Sequence, residues 1–257
     1  MNIYKSAIEG SSFVGLSNYI TLFSDPLFWH SLRLSVIYVI TSVIGSLILG
    51  FVLALVFDRE LFGISILRSF LIIPMVVTPV SIGLTWRMMY SDQIGIINYI
   101  LGILRLPRPL WIESTDTALL SVILVDIWEW TPFMFIILLA GLRSLPLSPF
   151  ESAMVDGANS WQRFRFLTLP MMRPVIYVAV ILRSVDALRI FDQVFVMTRG
   201  GPAQATDLFS VFIYRVGFKH SHISYAAALS WVLLLLCSIL LVLFVTKTEI
   251  LKGGKKQ

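Results

Sequence analysis

Two groups of ionisable residues sit inside otherwise apolar stretches. Arg183, Asp186, Arg189 and Asp192 recur every three residues within 174–197. Asp126 and Glu129 fall within 118–142, beside Trp128 and Trp130. Ionised groups at membrane depth are costly, so they face a cavity or pair with one another. Carboxylates and guanidinium groups hydrogen-bond hydroxyls, and indole rings stack on the apolar faces of ring-shaped solutes. The first group therefore reads as a polar wall of a pathway, or as an ion-pair ladder in which Arg189 meets Asp186 or Asp192. On one helix, successive members are offset by about 60°, so they spiral and do not form a stripe. Asp126, Glu129 and Trp130 read as pathway lining, or as ordinary interfacial aromatics with structural carboxylates.

Covalent and metal chemistry find no support in the pattern. There is no Gly-x-x-x-x-Gly-Lys-Ser/Thr loop, no His-Glu-x-x-His and no Gly-x-Ser-x-Gly. Cys237 is the only cysteine, and His30, His220 and His222 lie in polar connections where solvation is the default.

The elements that must hold these residues are helices in lipid. The chain has 257 residues, 57% of them hydrophobic and 14% charged, against about 25% charged in a soluble domain. Residues 34–57, 69–86 and 221–246 carry no charge. With 118–142 and 174–197 they make five candidate spans, long enough to cross roughly 30 Å of hydrocarbon, 69–86 marginally so. Pro74 and Pro79 interrupt the second. In the first, Ser42, Ser46, Gly50 and Ala54 form a small-residue ridge that lets another helix approach closely.

The net charge of +5 comes from scattered loop residues and a Lys-rich end, so it reads as basic loops beside anionic lipid and not as a nucleic-acid surface. Arg59, Arg68, Arg143, Arg163, Arg165, Arg173, Lys247, Lys252, Lys255 and Lys256 fall on one side of the five-span arrangement. That side is the cytoplasm by the positive-inside rule, which places the C-terminus inside and Lys5 outside. Residues 1–10 lack the apolar stretch of a signal peptide.

The longest cytoplasmic connection, 146–170, predicts two short helices. Ser148 is placed to cap the first, with Pro149 at the first helical position and Glu151 three residues on, a capping box. Gly157 turns the chain, and Asn159 or Ser160 caps a second helix ending before Pro170. Such a loop either lies on the membrane surface or docks a cytoplasmic partner.

Glu151, Ser152, Ala153, Asp156, Gly157 and Ala158, followed by Phe164 and Leu169-Pro170, resemble the EAA loop of permease subunits in binding-protein-dependent ABC importers. Phe13-Val-Gly-Leu-Ser-Asn-Tyr19 and Asp25-Pro-Leu-Phe-Trp-His-Ser-Leu32 are similar to the segment before one of that family's helices. Arg68 with Ile73-Pro74, Trp86-Arg87, and Trp128 with Pro132-Phe133 fit later helices. Thr198-Arg-Gly-Gly-Pro202, Thr206, Tyr214 and Phe218 look like an external loop of the maltose and glycerol-phosphate type. The resemblance covers about 13–247.

The resemblance implies an all-α integral membrane protein with a short cytoplasmic coupling helix. It divides the chain into a leading extracytoplasmic segment (1–31), a transmembrane domain (32–247) and a basic cytoplasmic tail (248–257). It implies one permease subunit of an importer in a bacterial or archaeal inner membrane, taking a sugar or a sugar-like solute. Its partners would be a second permease subunit, two ATPase subunits and an extracytoplasmic solute-binding protein. ATP and Mg²⁺ would sit on the ATPase, with no cofactor on this chain. Glu151, Ser152, Ala153, Asp156, Gly157, Phe164, Leu169 and Pro170 would carry the coupling. Amino acids or inorganic ions are alternative solutes, and a proton-coupled transporter using Asp186 or Asp192 is an alternative class. Ser152 stands where the family has Ala, and the chain starts about where the first apolar helix of that family's six-helix core would end, so that the start is assigned too late, the sequence is truncated, or the subunit works without that helix.

Overall fold

The computed structural model describes residues 14–58 and 64–253, with the side chains of 64, 65, 67, 68 and 243–253 outside the description. Phe13, Arg59, Lys5, Lys255, Lys256 and the side chains of Arg68, Lys247 and Lys252 therefore lie outside the described residues. All regular structure among the described residues is helical. In chain order the helices are α1 (Ser17–Ser24), α2 (Pro26–Phe57), α3 (Ile64–Val76), α4 (Pro79–Met89), α5 (Ile96–Ile103), α6 (Ala118–Arg143), α7 (Ser148–Val155), α8 (Ser160–Arg163), α9 (Leu169–Leu188), α10 (Asp192–Thr198), α11 (Phe209–Tyr214) and α12 (Ile223–Gly253). π-Helical turns at Phe164–Thr168 and Arg215–Lys219 follow α8 and α11.

Four stretches are long and apolar enough to cross a membrane: α2, α6, Ser160–Leu188 and Ile223–Val242. A fifth arises if the bent pair α3 and α4 is one span. On α2, Ile40, Ile44, Ile48 and Val52 recur every fourth residue and are half exposed or more. Burying such a face in lipid is favourable by roughly 25 cal/mol per Å².

Two expected spans are revised. The 69–86 run is not one continuous helix. Thr78, which precedes Pro79, is extended (φ −63°, ψ 138°) and occupies the N-cap position of α4, whose first turn holds that proline. The 174–197 run is not one helix either. α9 stops at Leu188, and Asp192 opens a separate short helix. No Gly or Pro marks the break. The Ser210 hydroxyl donates to the Ile190 carbonyl and satisfies an acceptor that the break releases.

The chain divides into two compact units. One comprises 1–42, 77–126 and 185–239; the other comprises 43–76, 127–184 and 240–257. The core of the first unit is Leu22, Phe28, Phe209, Phe212, Val216, Ala226 and Leu229. Phe28 meets Phe209 edge-on at 5.6 Å. The Phe209 N–H donates to the Ser35 hydroxyl at 2.8 Å, and the Tyr225 hydroxyl donates to Asp25 at 2.8 Å. α4 packs on α10 at Gly83, where a Cβ would stand 3.1 Å from the Gln193 carbonyl and 3.2 Å from Val196. The second unit joins the C-terminal part of α2 to α6. Gly50 lies against Met134 and Phe135, and Phe57 meets Phe135 edge-on at 5.6 Å. α9 meets α6 at Gly141, where a Cβ would be 2.8 Å from Val175.

Candidate functional site

The 146–170 loop folds as an ordered helix–turn–helix within the second unit. Leu147 is already in the right-handed helical region (φ −75°, ψ −31°), so α7 starts at Ser148 and Pro149 lies in its first turn. The capping box expected at Ser148 and Glu151 is therefore not formed: no side chain caps α7, and the Glu151 N–H donates to the Leu147 carbonyl at 3.0 Å. Glu151 still lies in the first turn, where a carboxylate favours the helix dipole.

The turn after α7 is a Schellman motif. The Gly157 N–H donates to the Met154 carbonyl at 3.1 Å, and the Ala158 N–H to the Ala153 carbonyl at 2.8 Å. Gly157 has φ +79°, a conformation that costs any other residue roughly 1–2 kcal/mol. The capping box is found one helix later. Asn159 accepts from the Gln162 N–H at 2.9 Å, and Gln162 accepts from the Asn159 N–H at 2.8 Å.

The second loop helix does not end before Pro170. It passes through the π turn, where the Leu169 N–H reaches the Phe164 carbonyl, and runs on into α9. Pro170 has no N–H, and the widened turn carries the helix past that missing donor. The loop is thus continuous with a membrane-spanning helix.

Glu151, Ser152, Asp156 and Gly157 are exposed, and Ala153 is half-buried. Phe164, Leu169 and Pro170 are half-buried too. Phe164 packs against Phe51 at 5.8 Å and Trp161 at 5.7 Å, so its ring braces the loop on α2. Apolar residues not singled out from the sequence point outward: Val155 is 89% exposed and both Trp161 and Phe166 are 69% exposed. Their signal was a run of large apolar side chains in an otherwise polar loop. A groove of about 390 Å³ at the two short helices is lined by Ala153, Asp156, Gly157, Ala158, Arg163 and Phe166, among others.

The polar residues of the expected pathway lie on α6, at the end of α9, just after it, and on α10. Asp126 and Glu129 are buried on α6. Trp130 is half-buried, with the guanidinium of the fully buried Arg183 4.7 Å from its ring centre. Asp186 is half-buried near the end of α9 and lies 4.0 Å from Arg189, an exposed ion pair of small energetic weight. Asp192 is exposed in the first turn of α10 and is not on the helix that carries Asp186. The spiral of four charges expected on one helix is thus broken after Asp186, because α9 ends first. Among the described residues, no group of three or more His, Cys, Asp or Glu is placed to hold a metal ion.

Sequence reasoning missed the polar tie in the loop 199–208. Asp207 pairs with Arg215, and burial pushes the Asp207 carboxyl up to about 6 against the opposing pull of Arg215, His30 and Lys219. The Thr206 hydroxyl donates to the Gly201 carbonyl at 2.8 Å and lies 2.6 Å from that of Thr198. His30 Nε2 donates to the Gln204 carbonyl at 3.2 Å.

Comparison with known proteins places the chain. The profile described as "Binding-protein-dependent transport system inner membrane component" matches residues 25–249. The trehalose/maltose transport system permease protein MalF of Thermococcus litoralis is 39% identical over 207 residues, covering 80% of this chain and 70% of that protein. The inner membrane ABC transporter permease protein YcjO of Escherichia coli is 36% identical over 249 residues, covering 96% of this chain and 83% of that protein. A chain of a bacterial alginate ABC transporter, solved with an alginate pentasaccharide-bound periplasmic protein, superposes with a TM-score of 0.80. It is 22% identical, and the match covers 95% of this chain and 85% of that one.

Proposed function

The chain belongs to the family of binding-protein-dependent transport system inner membrane components, and from that premise we propose that it forms half of a saccharide-conducting pathway. It is a multi-pass ABC permease, a transport component and not an enzyme. In the proposed assembly it pairs with a second permease subunit, receives solute from an extracytoplasmic binding protein and is driven by two ATPase subunits that hold ATP and Mg²⁺. The C-terminus and the 146–170 loop face the cytoplasm. The saccharide class is supported by the 39%-identical relative named for trehalose and maltose. Asp126, Glu129, Trp130, Asp186, Arg189 and Asp192 are the proposed pathway residues.

One observation carries the coupling role. α7 and α8 are capped at both sides of the turn, exposed, and continuous through the π turn with α9. A push on such a loop reaches a membrane span without a flexible joint. Val155, Trp161 and Phe166 would bury against the ATPase, and Glu151 would meet a cationic side chain.

Proteoliposomes holding the complete transporter test this reading. Glu151→Lys is expected to lower ATP-driven saccharide uptake about tenfold. The exposed carboxylate contributes only about 0.3–1 kcal/mol to its own helix, so folding survives and the loss reports docking. In the same vesicles Arg189→Ala is expected to reduce uptake while ATPase association persists. Full uptake by the Glu151→Lys transporter would refute the coupling role.

A further inference from the structure

A second cavity, of about 530 Å³, lies wholly within the first unit. One wall is the end of α4, with Arg87 and Ser91. Another is the 110–117 connection, with Ile112 and Glu113. The third is the C-terminal end of α10 with the following loop, Thr198 and Pro202. None of these six belongs to the coupling loop or to the residues proposed for the pathway.

The walls are braced from behind. Tyr90, next to Ser91, stacks on Trp111 at 5.0 Å, and the Trp111 indole donates to Asn98 at 2.9 Å. The Ser121 hydroxyl donates to the Trp111 carbonyl at 2.7 Å, and the Thr117 hydroxyl to the Leu110 carbonyl at 2.5 Å. The opposite wall is pinned by the Thr198–Thr206 contact and by the Thr206 bond to Gly201. Arg87 donates to the Val196 carbonyl at 3.2 Å, which uses one of five guanidinium donors and ties α4 to α10. The cavity is therefore preformed, and its size falls in the usual range for small-molecule sites, about 300–1,000 Å³.

Its chemistry selects among ligands. A cation, Arg87, and a carboxylate, Glu113, share the lining with the hydroxyl residues Ser91 and Thr198 and with the apolar Ile112 and Pro202. An anionic ligand that reaches Arg87 also meets Glu113, and a cationic one is opposed by Arg87. A neutral polyol uses both, accepting from the guanidinium and donating to the carboxylate, while its C–H face covers the apolar patch.

We propose that this cavity is an accessory site for one neutral saccharide unit, separate from the translocation pathway. The inference rests on the saccharide reading above and on its topology: with 146–170 and the C-terminus at the cytoplasm, the five-span order puts the 87–117 connection and the 198–202 loop on the opposite side, where solute arrives.

The test is ligand-observed saturation-transfer NMR on the nucleotide-free transporter in lipid nanodiscs. The probes are methyl α-D-glucopyranoside, D-glucuronate and D-glucosamine. The wild-type protein is expected to prefer the neutral glucoside. Arg87→Gln and Glu113→Gln should each weaken it at least fivefold. Glu113→Gln should raise glucuronate binding, and Arg87→Gln should raise glucosamine binding. Size-exclusion chromatography reports assembly; if Arg87→Gln fails to assemble, Arg87→Lys, which keeps the charge and loses the fork, should still weaken the glucoside. An unchanged glucoside affinity in the variants overturns the proposal, as does an unchanged ranking of the three probes or the absence of binding to the wild type. Loss of ATP-driven saccharide uptake with this binding pattern intact would instead count against the importer reading.

Discussion

Gly157→Pro is expected to abolish ATP-driven uptake, by tenfold or more, while circular dichroism shows an unchanged helical content. Two physical effects combine at this position. Proline fixes φ near −65°, whereas Gly157 has φ +79°. Proline also removes the N–H that donates to the Met154 carbonyl at 3.1 Å. The Schellman turn then fails, and α7 no longer holds its angle to α8. Gly157→Ala is the graded control. Nothing lies within 4 Å of a Cβ built there, so alanine meets only the left-handed strain of about 1–2 kcal/mol. A partial loss of uptake is expected for alanine and a complete one for proline. Equal, undiminished uptake by both would mean that turn geometry does not matter for coupling.

Gly50→Leu should destabilise the chain itself. A Cβ at Gly50 would stand 2.5 Å from the Met134 Cβ and 2.9 Å from the Phe135 backbone nitrogen. Neither atom is the flexible end of a side chain, so α2 and α6 must move apart. Overpacking of this kind costs about 1–3 kcal/mol, which corresponds to a fall in Tm of about 3–10 °C for a chain of this size. Ile48→Leu, on the same helix at a position 56% exposed, should leave Tm within a degree or two. A thermal-shift measurement in detergent separates the two. The small-residue ridge is thus a packing surface whose replacement acts on assembly before it acts on transport.

These two sites were also the most legible in the sequence. Gly50 stands in a ridge of small residues, and Gly157 between two short amphipathic stretches, so local rules suffice. α6 was expected at 118–142 and spans Ala118–Arg143, because one long apolar run leaves little choice of ends. The first loop helix was expected to open at Pro149, before the turn at Gly157, and spans Ser148–Val155. The capping box was legible as a type but was assigned to the wrong helix. Ser148-x-x-Glu151 and Asn159-x-x-Gln162 both fit the pattern, and only backbone angles at Leu147 and Asn159 separate them.

What stayed hidden depends on residues far apart in the chain. The break after Leu188 has no Gly or Pro, and its released carbonyl is satisfied by Ser210, twenty positions on. The loop 199–208 is held by the Asp207–Arg215 pair and by His30, from distant elements. The aromatic run Phe191, Phe195, Tyr214 and Phe218, with ring centres 4.9–5.2 Å apart, joins α10 to α11 and the π turn after it. No periodicity within one element reports such pairings. For the same reason the expected spiral of four charges came apart once α9 ended.

The proposed coupling loop and the proposed saccharide pathway make one claim, that nucleotide hydrolysis by a partner drives solute through this chain. Uptake of radiolabelled saccharides into proteoliposomes tests it most directly, with the second permease, the ATPase and the binding protein present or withheld. The account predicts uptake that needs ATP and all partners and is indifferent to an imposed pH gradient. Uptake by the purified chain alone, driven by a pH gradient without ATP, would contradict it and would turn attention to Asp186 and Asp192 as proton sites.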